Sequence, residues 1–298
     1  MNIRPPRLQP GDGIGIIAPA SPVEPSELSP AIDLLTSKGY QVSCAPHLYD
    51  RVDYLAGHDN ARLDDLHSMF SNRNIKAILC ARGGYGTPRI LDRIDFTLIR
   101  QNPKIIVGYS DITALLMAIN KMTGLVCFHG PLAGKNESAL NLNDLIALVS
   151  TGGPLDLSLS GGAVLNKGKA HGILLGGNLS LLSALIGTPF IPSFKGAILF
   201  VEDRGEPLYR IDRMLTHLRL CGLLDGLSGL VAGRFEGCGD PSAIGRLMQD
   251  IMSGLDIPIL TGLPVGHGRE NVTLPVGLTA DLDTEKMSLA VSDLCVSE

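Results

Sequence analysis

Several short stretches of the chain hold residues whose types and spacing suit acyl transfer. Gly108-Tyr109-Ser110-Asp111 stands between an apolar strand pattern ending at Val107 and a helical pattern beginning near Asp111. A sharp strand-to-helix turn lifts a serine oxygen clear of a sheet. The helix N-terminus then places the N–H of Asp111 beside the oxygen that becomes negative during acyl transfer. Gly108 lets such a turn tighten, although the usual G-x-S-x-G spelling is broken because Ile112 stands at the second glycine. A serine before a helix is also what a plain N-cap looks like. Arg82-Gly83-Gly84-Tyr85-Gly86 follows a strand pattern ending at Cys80 and so lies at the carboxyl edge of a parallel sheet, where ligands gather. Its glycines let the backbone approach a substrate closely and leave N–H groups pointing outward, as an oxyanion hole or anion site requires. A flexible turn is the plainer reading of the same glycines.

A serine nucleophile needs a base, and the base needs an orienting carboxylate. His267 lies in the glycine-flanked loop Pro264-Val265-Gly266-His267-Gly268, after an apolar strand pattern. His129 is its rival, because it ends the strand pattern Leu125 to Phe128 at the same sheet edge as Ser110. Glu202 ends the very apolar run Ala197 to Val201 and is well placed to orient an imidazole, but Asp203 and Glu206 compete with it. Ser110, Glu202 and His267 follow the chain order nucleophile, acid, base. Gly11-Asp12-Gly13-Ile14-Gly15 is read as a turn, because its glycines precede a strand, whereas a phosphate-binding loop follows a strand and opens a helix. No H-E-x-x-H or comparable ligand spacing occurs, so neither a metal nor a cofactor is expected.

These residues need a scaffold. From residue 14 to about 130, short apolar runs alternate with helical patterns, which predicts strand-helix units and a parallel sheet in an α/β fold. The expected strands are Ile14–Ala18, Gln41–Ala45, Ala77–Cys80, Lys104–Val107 and Leu125–Phe128. Ser29 is the expected N-cap of a first helix, with Pro30 at its first position and Gly39 just past its end. Asp59 opens a second helix with apolar Leu63, Leu66, Met69 and Phe70, Thr87-Pro88 starts a short third, and Asp111–Met122 is the helix after the serine. Residues 135–170 turn Asn-, Ser- and Gly-rich and are read as a linker between a nucleophile domain, 1–134, and a second domain, 171–298, that carries Glu202 and His267. The second domain alternates helices (Asn178–Ile186, Tyr209–Leu220) and strands (Ala197–Val201, Leu230–Ala232). Its last stretch, 257–289, suits a small β-rich or barrel-like domain.

With 298 residues, 45% hydrophobic and 18% charged, the chain can bury a sizeable core in two domains. A net charge of -5 and the absence of any Lys/Arg run remove the attraction that drives nucleic-acid binding, so small ligands are the expected partners. The six cysteines are scattered with no C-x-x-C pair and read as buried free thiols. Neither a signal peptide nor a membrane span is expected, which points to the cytoplasm.

The segments Ala81-Arg82-Gly83-Gly84-Tyr85-Gly86, Val107-Gly108-Tyr109-Ser110-Asp111, Phe128-His129-Gly130-Pro131, Gly176-Gly177-Asn178-Leu179, Phe200-Val201-Glu202-Asp203, Tyr209-Arg210-Ile211-Asp212-Arg213 and Pro264-Val265-Gly266-His267-Gly268 resemble, in that order, the LD-carboxypeptidase family. The resemblance runs from Gly11-Asp12 to Asp281. It implies an N-terminal half similar to class I glutamine amidotransferase domains and a small barrel-like C-terminal half. It further implies Ser110 as nucleophile, Glu202 as acid, His267 as base, and an oxyanion hole formed by the N–H groups of Asp111 and Gly84. The implied activity is serine-type hydrolysis of an L,D-peptide bond that releases terminal D-alanine from a muropeptide tetrapeptide in peptidoglycan recycling, with Arg82 and Tyr85 binding substrate. A related hydrolase of the same family that cleaves a peptidyl-nucleotide antibiotic is the first alternative. A non-catalytic small-ligand-binding module is the second. Family members are often dimers, so a homodimer is an inherited expectation.

Overall fold

In the computed structural model, which describes residues 2–134, 138–159 and 161–298, the chain divides into two compact units. The first runs to Gly152 and takes back Val272–Pro275 and Cys295–Glu298; the second comprises Gly153–Asn271 and Val276–Leu294.

In the first unit Gly13–Ile17 (β1), Pro25–Ser37 (α1), Gln41–Cys44 (β2), Asp59–Ser71 (α2), Ile75–Cys80 (β3), Phe96–Gln101 (α3), Ile105–Gly108 (β4), Ile112–Thr123 (α4), Cys127–His129 (β5) and Ser138–Thr151 (α5) follow one another along the chain. The strands pair in parallel in the order β2-β1-β3-β4-β5, and Leu274–Val276 joins beyond β5. Strands such as Ile105-Ile106-Val107 are apolar without alternation because both faces are covered, and these three side chains are fully buried. Each contributes about 1.5–3 kcal/mol of burial free energy. In this strand order the chain reverses its winding between β1 and β3, and the loops that leave their carboxyl ends border the crevice where such sheets bind ligands.

Several local expectations shift. Helix α1 starts one turn earlier than Ser29: Pro25 takes the first position, and the Glu24 N–H donates to the Glu27 carboxylate at 2.9 Å, so this reciprocal cap outcompetes Ser29. Pro30 therefore sits inside the helix. Gly39 does follow its end, at φ +88°. Thr87-Pro88 opens two successive 3-10 turns, Thr87–Arg89 and Leu91–Arg93, in place of an α-helix. The stretch expected as a linker holds α5, whose Leu142, Leu145, Ile146 and Val149 are buried at helical spacing; the neighbouring asparagines masked that pattern in the composition. Lys135, Asn136, Glu137 and Ser160 of that stretch lie outside the described residues. Cys80, Cys127, Cys238 and Cys295 are buried free thiols, but Cys44 and Cys221 are exposed, one on edge strand β2 and the other beyond the end of a helix.

The second unit contains Leu155–Ser158 (β6), Val164–Asn166 (β7), Lys169–Asn178 (β8), Leu179–Ala184 (α6), Ala197–Arg204 (β9), Leu208–Leu220 (α7), Gly229–Glu236 (β10), Pro241–Ile251 (α8) and Ile259–Thr261 (β11). Leu274–Val276 (β12) belongs to the first sheet, and Thr279–Asp283 (β13) and Ser288–Val291 (β14) return to the second. Its hydrogen-bonded order is β6-β14-β13-β8-β9-β10-β11-β7, an eight-stranded mixed sheet. The stretch 257–289 is thus no self-contained barrel among the described residues, since β11 and β13 extend a sheet centred on β8, β9 and β10. Those three strands run parallel, and their register sets Asn178 beside Glu202 at the carboxyl end.

Candidate active site

Strand β4 and helix α4 meet at Ser110, which has φ +62°, a left-handed conformation that costs a side-chain-bearing residue roughly 1–3 kcal/mol. The serine is half-buried, and the first-turn N–H groups of Ile112 and Thr113 already donate to the carbonyls of Tyr109 (3.3 Å) and Ser110 (2.9 Å). A methyl on Gly108 would lie 2.7 Å from Cγ2 of Ile112, so the glycine on the strand side is what lets a branched residue occupy the usual second-glycine position. The side chain of Asp111 turns away from the helix end. Its Oδ2 accepts the Thr87 N–H at 2.8 Å, and its carbonyl accepts the Thr87 hydroxyl at 2.6 Å. Burial raises the Asp111 carboxyl above the usual aspartate range, against the opposing effect of the Thr87 hydrogen bonds.

The glycine loop after β3 packs directly on this turn. A methyl on Gly83 would meet Ser110 Cβ at 2.8 Å and Oγ at 3.0 Å, so backbone alone fits against the hydroxyl. Gly84, at φ +101°, and the Tyr85 N–H lie against Ser21, whose Oγ accepts that N–H at 3.2 Å. Ser21 comes from the loop after β1, so three strand ends converge on one edge. Arg82 is half-exposed; its guanidinium donates to the Pro22 carbonyl at 3.3 Å and pairs with Glu27 at 3.7 Å. The ring of Tyr85 stands out from the loop, 47% exposed.

Beneath the loop lies Arg62 of α2, 1% exposed. One of its nitrogens donates to the carbonyls of Pro19 and, at 2.9 Å, Gly86, while another pairs with Asp59. The guanidinium thus ties the loop after β1 to the glycine loop. Sequence reasoning passed over it, although a signal was present: Arg62 falls four residues before Leu66 and seven before Met69, on the apolar stripe of the helix. Replacing it with methionine roughly keeps the volume but takes away the donor that the buried Pro19 carbonyl uses. It also removes one of the two partners each of the Gly86 carbonyl and Asp59, which keep the N–H and the guanidinium of Arg89 respectively. Arg62→Met is expected to cost roughly 3 kcal/mol or more, read as a lower urea midpoint at unchanged m-value.

In the second unit His267 Nδ1 and Glu202 Oε2 are 2.8 Å apart, with the carboxylate fully buried and the imidazole 10% exposed. The competing acids are committed elsewhere. Asp203 accepts from Asn178 Nδ2 (3.0 Å), the Ser180 N–H (2.9 Å) and hydroxyl (2.8 Å), and the Arg204 N–H (2.8 Å), and burial raises its carboxyl. Glu206 pairs with Arg210 at 3.4 Å. The histidine loop is built around the acid: Gly266 has φ +113°, and a methyl there would strike Glu202 Oε2 at 2.6 Å. Asn271, which no sequence signal singled out, accepts the Gly266 N–H at 2.9 Å and holds the loop. His129, the rival base, is completely buried in the first unit with its ring 5.9 Å from that of Tyr109. Ser110, Asp111, Gly84, Arg82 and Tyr85 therefore share the first unit, and Glu202 and His267 share the second. Among the described residues no three His, Cys, Asp or Glu side chains converge as a metal site requires.

Backbone strain concentrated on a serine, and a buried carboxylate bonded to an imidazole, are features of serine-type hydrolases. Models of the LD-carboxypeptidase N-terminal and C-terminal domains match residues 14–130 and 171–282, and the chain belongs to the LD-carboxypeptidase family of serine-type carboxypeptidases. It is 40% identical to the probable murein peptide carboxypeptidase of Bacillus subtilis over 100% of this chain and 97% of that protein. The crystal structure of muramoyltetrapeptide carboxypeptidase from Oxalobacter formigenes superposes with a TM-score of 0.84 at 34% identity, covering 94% of this chain and 99% of that one. The microcin C7 self-immunity protein MccF of Escherichia coli is 27% identical over 96% of this chain and 95% of its own length.

Proposed function

We propose that this carboxypeptidase hydrolyses the L,D-peptide bond that holds the terminal D-alanine of a muropeptide tetrapeptide, as a step of cytoplasmic peptidoglycan recycling, with Ser110, Glu202 and His267 as its triad. The observation that carries the reading is the left-handed backbone of Ser110 between a parallel strand and a helix, because a mere N-cap needs no such strain. Relatives that bear the names murein peptide carboxypeptidase and muramoyltetrapeptide carboxypeptidase support the substrate.

In the proposed reaction Ser110 Oγ attacks the scissile carbonyl carbon while its proton passes to His267 Nε2. Nδ1 stays bonded to Glu202, which fixes the tautomer and stabilises the imidazolium. The N–H groups of Asp111 and Gly84 receive the oxyanion, each worth roughly 3 kcal/mol of transition-state stabilisation. The C–N bond then breaks, the imidazolium gives its proton to the leaving amine of D-alanine, and an acyl-serine remains. Water attacks the ester, His267 takes the water's proton and returns it to Ser110, and the shortened peptide leaves with a new carboxylate. Arg82 is the proposed cation for the substrate carboxylate, with its pairing to Glu27 loose enough at 3.7 Å to yield to a ligand. Tyr85, on the same loop, supplies an exposed ring for the rest of the substrate. The parallel sheet order supports a likeness of the first unit to class I glutamine amidotransferase domains; the second unit is carried as β-rich, and a homodimer as the assembly.

The relation to MccF favours one second reading, a hydrolase of peptidyl-nucleotide conjugates that uses the same triad. Mass spectrometry after incubation with a defined muropeptide tetrapeptide and, in parallel, a peptidyl-nucleotide conjugate separates the two. Loss of one D-alanine from the first, abolished in His267→Ala, is the expected result, and cleavage of the conjugate alone would overturn it.

A further inference from the structure

The chain has no tryptophan and 6 tyrosines; Tyr49, Tyr54, Tyr85 and Tyr209 are exposed, and of these Tyr54 and Tyr85, 56% and 47% exposed, pair with ring centroids 5.8 Å apart and planes inclined at 54°. Each is presented by constrained backbone. Val52 and Leu55 exchange both backbone hydrogen bonds at 2.9 Å around the two-residue turn Asp53-Tyr54, and Asp53 sits at φ +53°. That strain, roughly 1–3 kcal/mol for a residue with a side chain, serves to hold Tyr54 out from the fold. Tyr85 is fixed by its N–H bond to Ser21 and follows Gly83, which packs on Ser110, by two residues or roughly 7 Å of chain.

A cavity of about 480 Å³ opens beside Tyr54, with Asp59, Asn60, Arg89 and Arg93 among its walls. Its polar groups are already ordered. Arg89 grips Asp59 through Nε at 3.0 Å and Nη2 at 2.9 Å, the buried Arg62 holds the same carboxylate, and Arg93 donates to Asn60 Oδ1 at 2.6 Å. Asp53 and Asp59 are interleaved with Arg89, Arg93 and His58 in the walls, which therefore carry both donors and acceptors. The two carboxylates among the cations disfavour a phosphate, and the polar groups disfavour an apolar side chain. A pyranose, with one face of C–H bonds and a rim of hydroxyl and amide groups, suits aromatic faces flanked by fixed planar hydrogen-bonding groups.

We infer that the Tyr54–Tyr85 face and this cavity form a subsite for the N-acetylated sugar of the muropeptide, an assignment that rests on the muropeptide reading above. The sugar then anchors the stem peptide from its far end while the glycine loop meets the scissile bond.

The test compares kcat/KM on a sugar-linked tetrapeptide and on the sugar-free tetrapeptide of the same sequence, for the wild type, Tyr54→Ala, Tyr54→Phe and Arg93→Gln. The wild type is expected to favour the sugar-linked substrate. Tyr54→Ala is expected to lower that preference about tenfold through KM, while Tyr54→Phe, which keeps the ring, retains it. Titration of the Ser110→Ala protein with the two peptides reads the same preference as binding, without turnover. A preference that is absent in the wild type, or unmoved by Tyr54→Ala and Arg93→Gln while both peptides are still hydrolysed, overturns the subsite and leaves the muropeptide reading standing. Failure to hydrolyse or bind either peptide overturns both.

Discussion

Ser110→Ala is expected to fold as the wild type does and to lose D-alanine release by about 10⁴-fold or more, the scale seen when a serine nucleophile is removed and only binding and oxyanion contacts remain. The two halves of that expectation have separate causes. Alanine bears the left-handed strain at φ +62° about as serine does, and the turn is held by Gly108, by the Asp111–Thr87 bonds and by the packing of Gly83, none of which needs the hydroxyl. The melting temperature therefore stays within a degree or two of the wild type by the usual relation of free energy to Tm. Covalent catalysis, in contrast, loses its nucleophile, since the neighbouring hydroxyl, Ser21 Oγ, accepts the Tyr85 N–H at 3.2 Å and lies against Gly84. Single-turnover assays with mass detection of the released amino acid give the measurement, and turnover persisting within tenfold of the wild type would rule out this nucleophile.

The parallel sheet was legible because its inner strands β1, β3, β4 and β5 are covered on both faces and read as apolar runs, whereas edge strand β2 is largely exposed. Ile105-Ile106-Val107 is the clearest, and the serine is found by its place just after that run. What could not be read depends on geometry that periodicity does not carry. Glu202 and Asp203 are neighbours in one strand, so they point to opposite faces, and nothing in the sequence says which face holds the imidazole. In the fold Glu202 meets His267, while Asp203 ties Asn178 and Ser180 to the strand end. Arg62 was lost for a related reason, since an arginine on an apolar stripe looks like an interruption until the carbonyls of Pro19 and Gly86 come to it from distant loops. Ser29 looked like a cap because Ser-Pro is a favoured helix start; the Glu24–Glu27 pair one turn earlier won by satisfying a backbone donor that Ser29 could not reach. Which partners the strands of the β-rich tail join could not be read, because short Gly- and Pro-punctuated strands carry no sign of it. β13 pairs with β8, more than a hundred residues earlier in the chain.

Glu202→Gln is the second expected large effect, and it separates a catalytic acid from a structural one. The side chain is completely buried, Oε2 meets His267 at 2.8 Å, and Oε1 has no hydrogen-bond partner among the described residues. Burying a carboxylate with one oxygen unsatisfied is costly, so a neutral amide of the same shape removes a penalty while keeping the volume. Stability is therefore expected to hold or rise, with the urea midpoint at or above the wild-type value. Catalysis is expected to fall roughly 10³–10⁴-fold in kcat, because the amide can present either its oxygen or its NH2 to Nδ1 and no longer stabilises an imidazolium. A residue kept only for packing would show neither the loss nor the gain. If Glu202→Gln retains turnover while Asp203→Asn abolishes it without unfolding the protein, the orienting role passes to Asp203. The four hydrogen bonds already on that carboxylate argue against such an outcome, since each would have to break before the group could reach an imidazole.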